Sequence, residues 1–141
     1  MEYRTTSNTV YACQYHVVFC PKYRRKVLVD EVRERFMELT PKAVEDMAGV
    51  EILEMEVMPD HVHLLLEVPP EIAVKQVVGR IKGTTSHVLR DEFPKLRKRI
   101  PTLWTNSCFV SSVGGAPLGI VEEYIRNQRT SQRKSQDERM G

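Results

Sequence analysis

A chain of 141 residues, 41% hydrophobic and 28% charged, has the composition of an ordinary globular domain and the length for one two-layer core. No apolar run reaches the roughly 18–20 residues of a membrane span, and "MEYRTTSNTV" lacks both the basic and the apolar segment of a signal peptide, so a cytoplasmic protein without a membrane partner is expected. The net charge of +2 points to no partner by itself.

In chain order, residues 1–9 are expected to form a flexible end of a single domain spanning 1–141. "YACQYHVVFC" (11–20), rich in β-branched and aromatic residues, predicts a strand ended by Pro21. "PKYRRK" (21–26) is the first of three basic runs. Asp30 is placed to cap a helix over about 31–48, in which Val32, Phe36, Leu39, Ala43 and Met47 form one apolar stripe and Gly49 marks the stop. Pro41 interrupts that stripe. A mid-helix proline costs about 3 kcal/mol, so a kink is expected, or a restart capped by Thr40.

"VEILEMEVM" (50–58) and "HVHLLLEV" (61–68) predict two strands joined by a Pro59-Asp60 turn into a hairpin. "PPE" opens a helix over about 71–92, apolar at Val74, Val77, Val78, Ile81, Val88 and Leu89, and stopped by Pro94. "KLRKR" (95–99) is the second basic run. "LWTNSCFVSSV" (103–113) predicts a fourth strand, broken by Gly114-Gly115. Pro117 suits the first turn of a last helix running to about 130. Residues 131–141 are expected to be flexible, and the stretch 126–139 is the third basic run. The order β–α–β–β–α–β–α predicts an α+β, ferredoxin-like sandwich, with an antiparallel sheet, helices on one face and an added C-terminal helix.

Each basic run alone reads as a solvated loop or tail; the three together, one holding Tyr23, favour a polyanionic partner. Cys13, Cys20 and Cys108 are odd in number and lack metal-site spacing, which fits reduced, small core residues.

Chemistry concentrates in "MPDHVHLLLEV" (58–68). Strand side chains alternate faces, so His61 and His63 point one way and Val62 the other, with the two Cβ atoms about 6.5–7 Å apart. Two imidazoles at that separation can converge on one ion. The alternative is a pair of partly buried, hydrogen-bonded histidines; two on the same face of one strand, beside Asp60, favour the metal. A histidine-triad nucleotide hydrolase would need a further histidine at position 65, which is Leu65. Two ligands are too few for a catalytic ion, so a third is expected.

On the last helix, Tyr124 and Gln128 stand four residues apart on one face. With Val121 and Ile125 they could line a packed helix. Joined to the histidine pair, they form a phosphoryl-transfer site instead. The Gln128 oxygen suits Mg²⁺ or Mn²⁺, and Tyr124 can attack phosphorus to give a phosphotyrosine. Exchange of one phosphodiester for another is nearly energy-neutral, so no nucleotide cofactor is needed, and no P-loop is present.

These residues resemble the small single-tyrosine HUH transposases of the insertion-sequence 200/605 type, whose name reflects two histidines around a hydrophobic residue, here His61-Val62-His63. "YHVVFCPKYRRKVL" (15–28), "MEVMPDHVHLLLEVPP" (55–70), "GRIKGTTSHVLRDEFP" (79–94), "LWTNSCFVSSVGG" (103–115) and "VEEYIRNQ" (121–128) resemble family blocks in family order. The resemblance implies a single-strand DNA endonuclease and strand transferase acting at hairpin-bearing element ends. Tyr124 would carry the 5′-phosphate, and His61, His63 and Gln128 would hold Mg²⁺ or Mn²⁺. It also implies a homodimer in which the tyrosine helix can serve the partner's histidines; Gly114-Gly115 is a candidate hinge for that swing.

Lys22, Arg24, Arg25, Lys26, Arg80 and Lys82 are candidate DNA contacts, because neutralising the backbone drives such binding. Asp60 is a candidate to orient a histidine. His16 reads as structural or close to DNA, and the general base is unassigned. Two other readings stay open: a domesticated HUH endonuclease acting on repeated chromosomal hairpins, and a non-catalytic single-strand binding module with a structural metal.

Overall fold

The computed structural model describes residues 3–5, 9–113 and 122–128. Strands β1 (Arg4–Thr5), β2 (Val10–Tyr11) and β3 (Gln14–Phe19) lead into helix α1 (Asp30–Val44). They are followed by β4 (Glu51–Met58), β5 (His61–Glu67), α2 (Val74–Glu92), the short α3 (Pro94–Arg99) and β6 (Phe109–Ser112). Residues 122–128 form a last helical segment, α4.

The main sheet runs β4-β5-β3-β6, every neighbour antiparallel. That is the strand order of the ferredoxin-like sandwich, as the alternation of elements predicts. One face of the sheet carries Val17, Phe19, Val57, Val62, Leu64 and Leu66, which join Phe36, Leu39, Val77, Val78, Ile81 and Leu89 of α1 and α2 in a single core. Strand periodicity accounts for the division: Val62, Leu64 and Leu66 are fully buried, while His61, His63 and Leu65 fall on the opposite face. Phe36 anchors the core edge-on to Phe19 (ring centroids 6.3 Å) and Trp104 (5.5 Å). Phe36→Ala should destabilise the fold by about 3–5 kcal/mol, measured as a lower urea midpoint at unchanged slope.

The β4–β5 hairpin turns at Pro59-Asp60, with Met58 opposite His61 as its closing pair. Other elements differ from their sequence outline for physical reasons. The first strand covers 14–19 rather than 11–20, because the amide of Cys13 donates to the Glu67 carboxylate (2.9 Å) instead of extending the ladder. Val10–Tyr11 pair with Arg4–Thr5, so part of the expected flexible end is a small hairpin. Its Arg4 reaches Glu67 at 3.3 Å and Glu51 at 2.8 Å.

Helix α1 runs unbroken past Pro41, and Thr40 does not cap a restart; its hydroxyl donates back to the Phe36 carbonyl at 2.8 Å. Only one intrahelical donor is lost so near the C-terminus. Asp30 sits inside the first turn with φ of 50° rather than ahead of it, and the Val29 carbonyl takes the first amides. Helix α2 starts at Val74 rather than near 71, after a turn in which Ile72 donates to Pro69. Pro94 ends α2 and then opens α3.

The fourth strand is confined to Phe109–Ser112, with Trp104 in an isolated bridge to Pro21. Between them the carbonyls of Thr105 and Ser107 turn to the Lys82 ammonium, at 2.6 and 3.2 Å. Gly114-Gly115, Pro117 and 131–141 lie outside the described residues. Among the described residues no helix is long and apolar enough to cross a membrane.

Candidate functional site

The sheet face turned away from α1 and α2 carries the candidate site. His63 stands opposite Val18 on β3 and Glu56 on β4, and Val18 stands opposite Phe109 on β6. These residues form one row across the sheet, and its two ends hold different chemistry.

At the β5 end, Asp60 Oδ1 lies 2.9 Å from His61 Nδ1, and Asp60 Oδ2 accepts from Arg24 Nε at 2.7 Å. Burial opposes ionisation of Asp60, yet its bonds to His61 and Arg24 hold the carboxyl below the ordinary range. An ionised Asp60 accepts a hydrogen bond from the Nδ1–H of His61, a tautomer that turns the Nε2 lone pair outward, the orientation a metal-binding imidazole needs. Arg24 comes from a short turn, Lys22–Arg24, in which Tyr23 and Arg24 both take left-handed φ, 59° and 53°. The Arg24–Asp60 pair helps hold that conformation. The loop is fastened further by Leu28 donating to the Pro59 carbonyl at 3.1 Å.

His63 is placed differently. Its Nε2 lies 3.1 Å from His16 Nδ1, with ring centroids 5.2 Å apart, and its Nδ1 is 3.7 Å from Glu56. Burial, aided by His16 and opposed by Glu56, pushes His63 below the ordinary imidazole range. That shift favours the neutral imidazole, the form that ligates. Coordination through Nε2 requires His63 to exchange its His16 partner for the ion.

At the β6 end, Tyr124 of α4 packs its ring on Phe109, with centroids 5.4 Å apart. Its hydroxyl is 3.0 Å from Ser107 Oγ, and Ser107 also donates to Gln128 Oε1 at 3.1 Å. Burial raises the Tyr124 phenol above its ordinary range, and the Ser107 hydrogen bond opposes that rise. Cys20 lies within electrostatic reach of both ends: Asp60 and Arg24 act on its thiol, and it acts on Tyr124.

The structure thus brings Tyr124 to Gln128, and Asp60 to His61, and puts both histidines on one face. Among the described residues no hydrogen bond joins either histidine to Tyr124 or Gln128. Nor does any group of three or more His, Cys, Asp or Glu side chains among them gather closely enough to hold a metal; the amide of Gln128 is outside those residue types. His61 could take a divalent ion through its outward Nε2, and His63 could do so after exchanging its His16 partner.

The candidate DNA contacts divide. Arg25 and Lys26 are exposed. Lys22 lies with its ammonium 5.5 Å from the Tyr23 ring centroid. Arg24 is bound to Asp60, and Arg80 donates to Asp46 at 2.8 Å. Lys82, half-buried, braces the Thr105 and Ser107 carbonyls, and burial lowers its ammonium below the ordinary range.

Sequence reasoning missed Ser107 because it read 103–113 as continuous strand. It left His16 without a partner because only the strand register brings β3 beside His63.

Burial, with Asp60 second, pushes the Cys20 thiol up to about 12, so at pH 8 only about 1 in 10⁴ molecules carries the thiolate. Iodoacetamide should leave Cys20 unmodified in native protein while urea-unfolded protein reacts fully, read by peptide mass spectrometry. Equal reaction in both states would mean that this part of the face is open.

The chain matches the family model described as "Transposase IS200 like" over residues 9–128. It is 35% identical to the transposase for insertion sequence element IS200 of Salmonella typhimurium over 127 residues, covering 89% of this chain and 82% of that one. It is 32% identical to the ISDra2 transposase TnpA of Deinococcus radiodurans over 130 residues, covering 91% and 92%. A Deinococcus radiodurans crystal structure described as that of a transposase superposes with a TM-score of 0.81 at 32% identity, covering 89% of this chain and 97% of that one. The structure of a REP-associated tyrosine transposase bound to a REP hairpin is similar in fold, with a TM-score of 0.57 at 15% identity, covering 89% and 68%.

Proposed function

The chain belongs to the IS200-like transposase family, and from that premise we propose that it cleaves and rejoins single-stranded DNA through a 5′-phosphotyrosine on Tyr124. The observation that carries this reading is the seating of the Tyr124 hydroxyl and the Gln128 amide oxygen on one serine, 3.0 and 3.1 Å away, in the turn that leads into β6 of the sheet that also presents His61 and His63.

The Tyr124 oxygen attacks the scissile phosphorus, the bond to the 3′ oxygen breaks, and the departing strand leaves as a 3′-hydroxyl that has taken up a proton. Attack by another 3′-hydroxyl reverses the step and frees the phenol, so bond energy is conserved and no nucleotide is consumed. Held by His61, His63 and Gln128, Mg²⁺ or Mn²⁺ would polarise the phosphate and offset its developing charge. Asp60 keeps His61 in the ligating tautomer. Exposed Arg25 and Lys26, with Lys22 beside them, provide phosphate contacts along the loop next to the Pro59-Asp60 turn.

The substrate in this reading is a strand bearing hairpins at element ends, and the working unit is a homodimer. The test is a denaturing gel after incubation with hairpin-bearing single strands and Mg²⁺ or Mn²⁺. A slower band of protein covalently joined to DNA is the expected result. DNA binding with no such band would leave a non-catalytic binding module.

A further inference from the structure

Ser107 belongs to none of the residue sets assigned above, yet both chemical groups of α4 converge on it. Its Oγ lies 3.0 Å from the Tyr124 hydroxyl and 3.1 Å from Gln128 Oε1. A serine hydroxyl has one proton, and an amide oxygen only accepts. The direction of both bonds is therefore fixed: Ser107 donates to Gln128, and Tyr124 donates to Ser107. In that arrangement the phenol proton points at Ser107, and one acceptor position of the Gln128 oxygen is left open.

The serine is itself held. Its carbonyl accepts from Lys82 Nζ at 3.2 Å and from Thr105 Oγ1 at 3.1 Å, and Lys82 also takes the Thr105 carbonyl at 2.6 Å. The Lys82 ammonium lies 5.8 Å from the Phe19 ring centroid, so the seat is fastened through α2 to the core. A surface serine on a loose loop would not fix the rotamers of two partners; this one stands on a braced turn between the Trp104 bridge and β6.

We propose that Ser107, braced by Lys82, is the positioning residue that sets the Tyr124 hydroxyl and the Gln128 amide oxygen in register for strand cleavage. The proposal rests on the reading of Tyr124 as nucleophile and Gln128 as ligand, and it adds the group on the turn before β6 that aims both. Tyr124 and Gln128 share a helix face but could turn independently about their own side-chain torsions, and Ser107 couples them.

The test compares wild type, Ser107→Ala, Ser107→Thr and Tyr124→Phe in single-turnover cleavage of a hairpin-bearing single strand with Mn²⁺. Hairpin affinity and melting temperature are measured beside it. Ser107→Ala should form the covalent adduct about ten-fold more slowly, the scale of one hydrogen bond, with hairpin affinity unchanged and only a small fall in melting temperature, matched by the fall in Tyr124→Phe. Ser107→Thr, which keeps the hydroxyl, should recover to within about two-fold of wild type. A Ser107→Ala rate equal to or above wild type, or no recovery in Ser107→Thr, overturns the positioning role while the Tyr124-dependent adduct survives. An adduct that persists in Tyr124→Phe, or is missing from wild type, overturns the underlying reading and this inference with it.

Discussion

Tyr124→Phe should abolish the covalent protein–DNA band, by at least about 10³-fold, while the protein still binds the hairpin strand. The variant removes one oxygen, and without that oxygen no phosphotyrosine can form. The phenyl ring keeps its place on Phe109, 5.4 Å away between centroids, so α4 retains its packing. What is lost structurally is the bond to Ser107, worth about 1 kcal/mol on a partly exposed face. A small change in melting temperature beside a complete loss of adduct separates chemistry from folding. A band surviving in Tyr124→Phe would show that the nucleophile lies elsewhere on the chain.

The strand-borne half of this site could be read from the sequence because it depends on local periodicity. Alternation along β5 fixes which face His61 and His63 share, and a two-residue turn at Pro59-Asp60 fixes the hairpin. The half at β6 could not be read in the same way. Thr105–Ser107 leave the strand because Lys82, 23 and 25 residues earlier, draws their carbonyls away from the ladder. Similarly, Arg4 and Cys13 are gathered by the buried carboxylate of Glu67, 63 and 54 residues on, and no local pattern announces that.

The basic residues teach a related lesson. Counting charge could not tell which cations already have partners, and Arg24, Arg80 and Lys82 are bound within the chain to Asp60, Asp46 and two carbonyls. Arg25 and Lys26, exposed in the same loop, are the better candidates for backbone phosphates.

The second large effect is expected at His61. Removing the divalent ion with EDTA, or replacing His61 by Ala, should cut strand cleavage by at least about 10²-fold, with the hairpin still bound at near wild-type affinity. The imidazole is partly exposed, and its intramolecular partner is Asp60 at 2.9 Å, so truncation opens little of the core. Asp60→Asn should fall between wild type and His61→Ala. The ligand stays, but the group that fixes its tautomer is weakened, and such partners typically matter by about 10–100-fold. Restoring Mg²⁺ or Mn²⁺ after EDTA should return activity to wild type but not to His61→Ala, which ties the ion to this imidazole rather than to a general salt effect. Affinity for the hairpin, titrated at fixed ionic strength, is the deciding control. If His61→Ala lost hairpin binding as far as it lost cleavage, the histidine pair would be holding the fold or the DNA rather than the reacting phosphate.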